Sequence, residues 1–154
     1  MEYTWRTARV EAYEMDKIDE IIAVDHIGYA VHDMTSAKEY FKALGYSFGD
    51  ENVDKLRNVN VCVGKMGGCK VEILAPLCGV KSPIDGTLKK MGSTPYHICY
   101  QVKDMDSALE KMQSVGYTMM GYPAPSEPLG GDVCFLYSPE IGIVELIDYK
   151  GNLE

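Results

Sequence analysis

Two histidines and two glutamates in this 154-residue chain fall into matched pairs, with His26 46 positions before Glu72 and His97 48 positions before Glu145. Imidazole nitrogens and carboxylate oxygens bind borderline and hard divalent cations. Two of each, with waters completing a five- or six-coordinate shell, suit one ion of Ni²⁺, Co²⁺, Mn²⁺, Fe²⁺ or Zn²⁺. Both glutamates sit in apolar runs, KVEILAP and IVELID, where an unpaired carboxylate would cost several kcal/mol. Taken singly, each residue reads more simply as a hydrogen-bonded core histidine or a strand acid with solvated neighbours; all four together favour a shared cation. His32 is the control, because its counterpart 71 positions on is Lys103, and it is expected at the surface.

The pairing follows from an internal repeat. DHIGYAVHDMTSAKEYFKALGY, from Asp25 to Tyr46, resembles YHICYQVKDMDSALEKMQSVGY, from Tyr96 to Tyr117, at a shift of 71. Val61-Cys62 matches Val133-Cys134 at 72, and Glu72 matches Glu145 at 73. Each half opens with an alternating run, His26, Gly28 and Ala30 on one face and Ile27, Tyr29 and Val31 on the other, which predicts a strand. A helix should follow, capped from Asp33, Thr35 or Ser36, with Ala37, Tyr40, Phe41 and Leu44 on its apolar face and Gly45 ending it. Its second copy runs from Asp104 through Ala108, Met112 and Val115 to Gly116. Three β-rich runs come next in each half: about Tyr46 to Phe48, Val59 to Val63 and Lys70 to Leu74, then Tyr117 to Met120, Asp132 to Tyr137 and Ile143 to Ile147. The unit is βαβββ, used twice. His at the start of a first strand and Glu in a last strand can point the same way if those strands are neighbours in a curved sheet.

Composition bounds the rest. An apolar fraction of 46% in 154 residues supports one compact core. The expected organisation is an N-terminal extension over 1–22 and a single domain over 23–154: module one at 23–80, a linker at 81–95 and module two at 96–148. In the extension Val10, Tyr13, Ile18, Ile21 and Ile22 could line one side of a helix. Gly121 to Asp132 is expected to be a loop beside the site, and GKMGG at Gly64 to Gly68 a hairpin turn. A net charge of −8 argues against nucleic acid. No apolar run has membrane-spanning length and no secretory h-region opens the chain, so a cytoplasmic protein is expected. Five cysteines without a C-x-x-C read as reduced thiols, Cys62 and Cys134 being core residues.

From about Asp25 to Asp148 these residues resemble the vicinal oxygen chelate superfamily, which holds glyoxalase I, methylmalonyl-CoA epimerase, fosfomycin-resistance proteins, extradiol dioxygenases and bleomycin-binding proteins. The resemblance implies an α+β fold in which two βαβββ modules form a cupped, incompletely closed mixed β-barrel with flanking helices. It carries the metal ligands onto His26, Glu72, His97 and Glu145. A carboxylate as second ligand is similar to bacterial glyoxalase I and some epimerases. The order VEILAPL, SPI, LKKMG, YHICYQVKDMDSALEKM, VCFL and VELI looks most like methylmalonyl-CoA epimerase. That epimerase carries a second acid on the strand before the first Glu ligand; Leu56 to Val63 here contains none.

The implied chemistry is proton abstraction next to a carbonyl. Glu145 is the first candidate base, Glu72 the second, and Asp54 the only other acid near the right strand, although a solvated acid in the DENVDK turn is its simpler reading. Arg57, Lys65 or Lys70 could meet anionic groups. The expected partners are a small carbonyl or acyl-thioester substrate and a second copy of the chain in a homodimer. Three functions are consistent with these residues: an epimerase-like isomerase, a glyoxalase I type lyase, and a drug- or metabolite-binding protein without chemistry.

Overall fold

The computed structural model describes residues 15–152. Val10 and Tyr13 of the expected N-terminal helical face lie outside the described residues, and Ile21 and Ile22 open a strand instead. Chain order runs β1 (Ile21–Ala30), α1 (Met34–Leu44), β2 (Ser47–Asp54), β3 (Val59–Met66), β4 (Cys69–Pro76), α2 (Asp85–Met91), β5 (Thr94–Val102), α3 (Met105–Ser114), β6 (Thr118–Met119), β7 (Ala124–Ser126), β8 (Gly131–Ser138) and β9 (Gly142–Asp148). Extension of β1 back to Ile21 is a tertiary effect: Ile21 pairs with Val102 of β5, and sheet partners override weak local helical preference.

The described strands form one mixed sheet in the order β2-β3-β4-β1-β5-β9-β8-β6, with β7 pairing on β8. At its middle, β1 and β5 join the two halves antiparallel. On their outer sides β4 runs parallel to β1 and β9 parallel to β5. The path ends at β2 and β6, so the sheet stays open, as the expected α+β fold requires.

Local chemistry explains most boundaries. Asp33 caps α1 by accepting from Ser36 N, Asp104 caps α3 by accepting from Ser107 N, and Gly45 ends α1 at φ 109°. Gly67, at φ 56°, turns the β3–β4 hairpin. Three expectations change. Tyr40 and Leu44 are exposed and only Met34 of α1 is buried, because the sheet reaches the helix only along the Met34, Ala37 and Phe41 line. β2 runs on to Asp54, although six of its eight residues are exposed, so no alternation marks it in the sequence. Within the expected loop, β7 pairs Ala124 with Val133.

Side-chain alternation divides the strands between two sides of the sheet. Ile73 and Cys62 pack with Met34 and Phe41 on the helix side, while Leu74 and Val61 turn the other way, onto Ile84 and Leu88 of the α2 region. In the second half Met105, Ala108, Leu109 and Met112 of α3 pack on Cys134, Leu136, Val144 and Leu146. Cys62 and Cys134 are thus core thiols, and all five cysteines are free. No helix among the described residues is long and apolar enough to cross a membrane.

Candidate metal centre

Strand register brings the four repeated residues together. Gly28 of β1 faces Glu72 of β4 on one side and His97 of β5 on the other. Cys99 of β5 faces His26 of β1 and Glu145 of β9. Since Gly28 follows His26 by two positions, and Cys99 follows His97 by two, all six share one face of the sheet. The two rows are one arrangement seen from either half. A side chain fits at Cys99, but a Cβ at Gly28 would lie 2.1 Å from His97 Cε1, so glycine there makes room for the imidazole.

All four side chains are buried, and one donor atom from each lies within 4.8 Å of the others. His26 Nε2 is 3.2 Å from His97 Nε2. Glu145 Oε2 is 3.2 Å from His26 Nε2 and 2.8 Å from His97 Nε2, yet it makes no hydrogen bond of good geometry. Glu72 Oε1 stands further off, 3.6 Å from His26 Nε2 and 3.8 Å from His97 Nε2. Donors that share a cation through bonds of about 2.1 Å are spaced about 3.0–3.4 Å apart in octahedral or tetrahedral shells; the two pairs at 3.2 Å match that spacing, Glu145 and His97 at 2.8 Å stand slightly closer, and Glu72 at 3.6–3.8 Å would close by a few tenths of an ångström to join a shared divalent ion. Burial opposes the charged form of His26, but the hydrogen bond to Asp25 and the nearby Glu145 and Glu72 carboxylates outweigh it and raise the pKa. Burial likewise disfavours the Glu145 carboxylate, and the two imidazoles overcome it, holding the group below the ordinary carboxylate range.

Behind His26 lies a group that sequence reasoning missed. Register slips between Val24 and His26, so that Asp25 and His26 together oppose Cys99, a bulge of the kind that re-aims side chains. Asp25 Oδ2 is 2.6 Å from His26 Nδ1. Its Oδ1 accepts from Gln101 Nε2 at 2.8 Å and Tyr149 OH at 2.7 Å, and Lys70 Nζ is 3.2 Å from Oδ2. Lys70 is therefore engaged by Asp25, while Lys65 is exposed. Adjacency of Asp25 to His26 was a legible signal; Tyr149, 124 positions away, was not. His32 is exposed, as expected.

A cavity of about 170 Å³ opens over the cluster, and Glu72 and Glu145 line it while neither imidazole does. Its walls are mostly apolar: Val59, Val61, Leu74, Ile84, Tyr96 and Phe135 are among them. Asp54 and Arg57 also line it. Buried Asp54 accepts from Leu56 N, Arg57 N and Arg57 Nη1, the last at 2.8 Å. Its carboxylate holds the Asp54–Arg57 turn and pairs with the one cation of the wall. From β3 the cavity receives Val59 and Val61 and no acid.

Comparison with known proteins agrees with this architecture. Residues 25–135 match the family model of the Glyoxalase/Bleomycin resistance protein/Dioxygenase superfamily. The chain is 31% identical over 128 residues to the ethylmalonyl-CoA/methylmalonyl-CoA epimerase of Cereibacter sphaeroides, covering 80% of this chain and 95% of that one. It is 30% identical over 127 residues to the mitochondrial methylmalonyl-CoA epimerase of Bos taurus, covering 80% and 72%. Among solved structures, methylmalonyl-CoA epimerase from Mycobacterium tuberculosis superposes with a TM-score of 0.74 at 22% identity, over 88% of this chain and 93% of that one, a likeness of fold. A Streptomyces coelicolor methylmalonyl-CoA epimerase in complex with 2-nitronate-propionyl-CoA has a TM-score of 0.72 at 22% identity, over 83% and 97%. With the duplicated sheet, the paired His and Glu and a family match over more than half its length, this chain belongs to the glyoxalase/bleomycin resistance protein/dioxygenase superfamily.

Proposed function

We propose that the protein is a divalent-metal-dependent isomerase that moves a proton α to a carbonyl, on an acyl thioester or a related small carbonyl compound, in the manner of methylmalonyl-CoA epimerase. One observation carries the reading: of four converging donors, the two carboxylates line the cavity and the two imidazoles do not. His26, Glu72, His97 and Glu145 would hold the ion, which when bound supplies Lewis-acid stabilisation of charge developing on the carbonyl oxygen. Glu145, kept ionised by both imidazoles, is the base that takes the α-proton. Glu72, less closely held, is the second. Asp54 is a third acid at the wall, available to a substrate only when its pair with Arg57 opens. The apolar wall excludes water and so strengthens each electrostatic contact within.

The test is α-hydrogen exchange, followed by NMR in D₂O, with metal-loaded protein and methylmalonyl-CoA. Exchange is expected, and Glu145→Gln should slow it by about 10²–10⁴-fold, the usual worth of a general base. Wild-type protein that binds the thioester without exchange refutes the isomerase. A second reading, the glyoxalase I type lyase, is favoured by the acid-free β3 wall at Val59 and Val61 together with a carboxylate at Glu72. It predicts thioester formation from methylglyoxal and a thiol. Tight binding with neither reaction would indicate a binding protein. A homodimer belongs to the same proposal, and light scattering should give twice the chain mass.

A further inference from the structure

The bulge that carries Asp25 occurs twice. In β5, register passes from Gly28–His97 to Tyr29–Pro95, so Tyr96 is an extra residue just before His97, as Asp25 is just before His26. At each histidine the duplicated backbone offers one neighbouring side chain, and the two halves use it differently. Tyr96 packs edge-on to the His97 ring, with centroids 5.4 Å apart, and lines the cavity. Phe135 packs edge-on at 5.2 Å, and His97 Nδ1, though buried, has no hydrogen-bond partner among the described residues. Around His26 the bulge residue is an anion, 2.6 Å from Nδ1 and itself gripped by Gln101, Tyr149 and Lys70. The two sequence-equivalent histidines are chemically unequal.

From this we infer that Asp25 is a positioning residue: it holds the proton of His26 on Nδ1, so that Nε2 presents its lone pair to the cluster, and it makes His26 the stronger donor of the two. A carboxylate behind a ligand imidazole sets ring orientation and raises basicity. Gln101, Lys70 and Tyr149 come from β5, β4 and the segment after β9, so the grip on Asp25 forms only when both halves are assembled. The inference rests on the metal reading above, and its test keeps the two apart.

Zn²⁺ affinity is measured by chelator competition for wild type, Asp25→Ala, Asp25→Asn and Tyr149→Phe, with ¹H–¹⁵N spectra of the three histidines of the Zn²⁺-loaded proteins. Wild type should bind one ion and show a hydrogen-bonded, downfield-shifted Nδ1 proton on His26 and an Nδ1 proton without that shift on His97. Asp25→Ala should lose that downfield shift and bind about 10- to 100-fold more weakly. Asp25→Asn, whose amide oxygen can still accept from Nδ1, should keep the proton hydrogen-bonded and recover part of the affinity, and Tyr149→Phe should fall between wild type and Asp25→Ala. Wild type that takes up no Zn²⁺ overturns the metal reading and the inference with it. Wild type that binds, with Asp25→Asn and Asp25→Ala equal to it in affinity and in the His26 proton, overturns the inference alone. Should Asp25→Ala fail to fold, Asp25→Asn and Tyr149→Phe carry the same comparison, and wild-type values in both overturn it.

Discussion

Gly28→Ala is the smallest change that should disable the site. The backbone at Gly28 is not in the left-handed region, so alanine costs nothing in backbone strain and by itself stiffens the unfolded chain, a gain of about 0.4–1 kcal/mol. The penalty is steric. The new Cβ would lie 2.1 Å from His97 Cε1 and 2.5 Å from both ring nitrogens, whereas carbon atoms in contact sit about 3.5–4.0 Å apart. The imidazole must therefore move by roughly 1.4 Å or more, against a tolerance of about 0.2 Å for a metal–ligand bond. Overpacking of this kind costs about 1–3 kcal/mol in stability, and withdrawal of a ligand should weaken metal binding by at least the ~100-fold that outer contacts can command. Gly64→Ala is the matched control: its Cβ would meet the Phe48 ring at 2.5 Å, on the face of the sheet opposite Glu72, so it should destabilise while leaving metal affinity alone. Chelator competition gives the affinity and denaturant unfolding in EDTA the stability. If Gly28→Ala binds Zn²⁺ within threefold of wild type, His97 is not held where the register puts it and the reasoning fails.

His97→Ala or Glu145→Ala should lower metal content sharply in protein purified without chelators, as read by elemental analysis, whereas exposed His32→Ala should match wild type; equal retention in all three would remove the centre. Leu136→Ala, at a fully buried position between α3 and the sheet, should cost about 2–5 kcal/mol in denaturant unfolding, and a loss under 1 kcal/mol would mean that the α3 side is loosely packed. Burial pushes the Cys134 thiol from 9.0 up to about 11. The folded state then keeps a proton that the unfolded chain releases, so this stabilisation is complete below about pH 9 and disappears as pH rises through about 11. Between pH 8 and pH 11 the unfolding midpoint should fall, and less steeply in Cys134→Ala; identical slopes would refute the assignment.

The convergence of the four donors was legible because duplication supplied the pattern twice: one His at the head of a first strand and one Glu in a last strand, each pair spaced by nearly the same count. Helix caps were legible for a local reason, since Asp33 and Asp104 bond backbone groups three positions away. Legibility failed where local pattern and tertiary demand part. Tyr40 and Leu44 have helical spacing, but only the Met34, Ala37 and Phe41 line of the helix meets the sheet. β2 carries no alternation because it is exposed. Asp54 has the right place in the chain for a catalytic acid, and its three donors become apparent only in the folded turn.

Taken alone, the amino-acid order determined which donors exist, how many halves there are, and that alternation within each strand turns one set of side chains to a common face. These are properties of short range and of repetition. The tertiary structure decided the rest: the slip in register that turns Asp25 toward His26, the glycine gap into which His97 fits, the joining of Lys70, Gln101 and Tyr149 on one carboxylate, and the cavity that exposes the glutamates but not the imidazoles. Each depends on residues far apart in the chain meeting across β1 and β5, and contacts at that separation leave no periodic mark in the sequence.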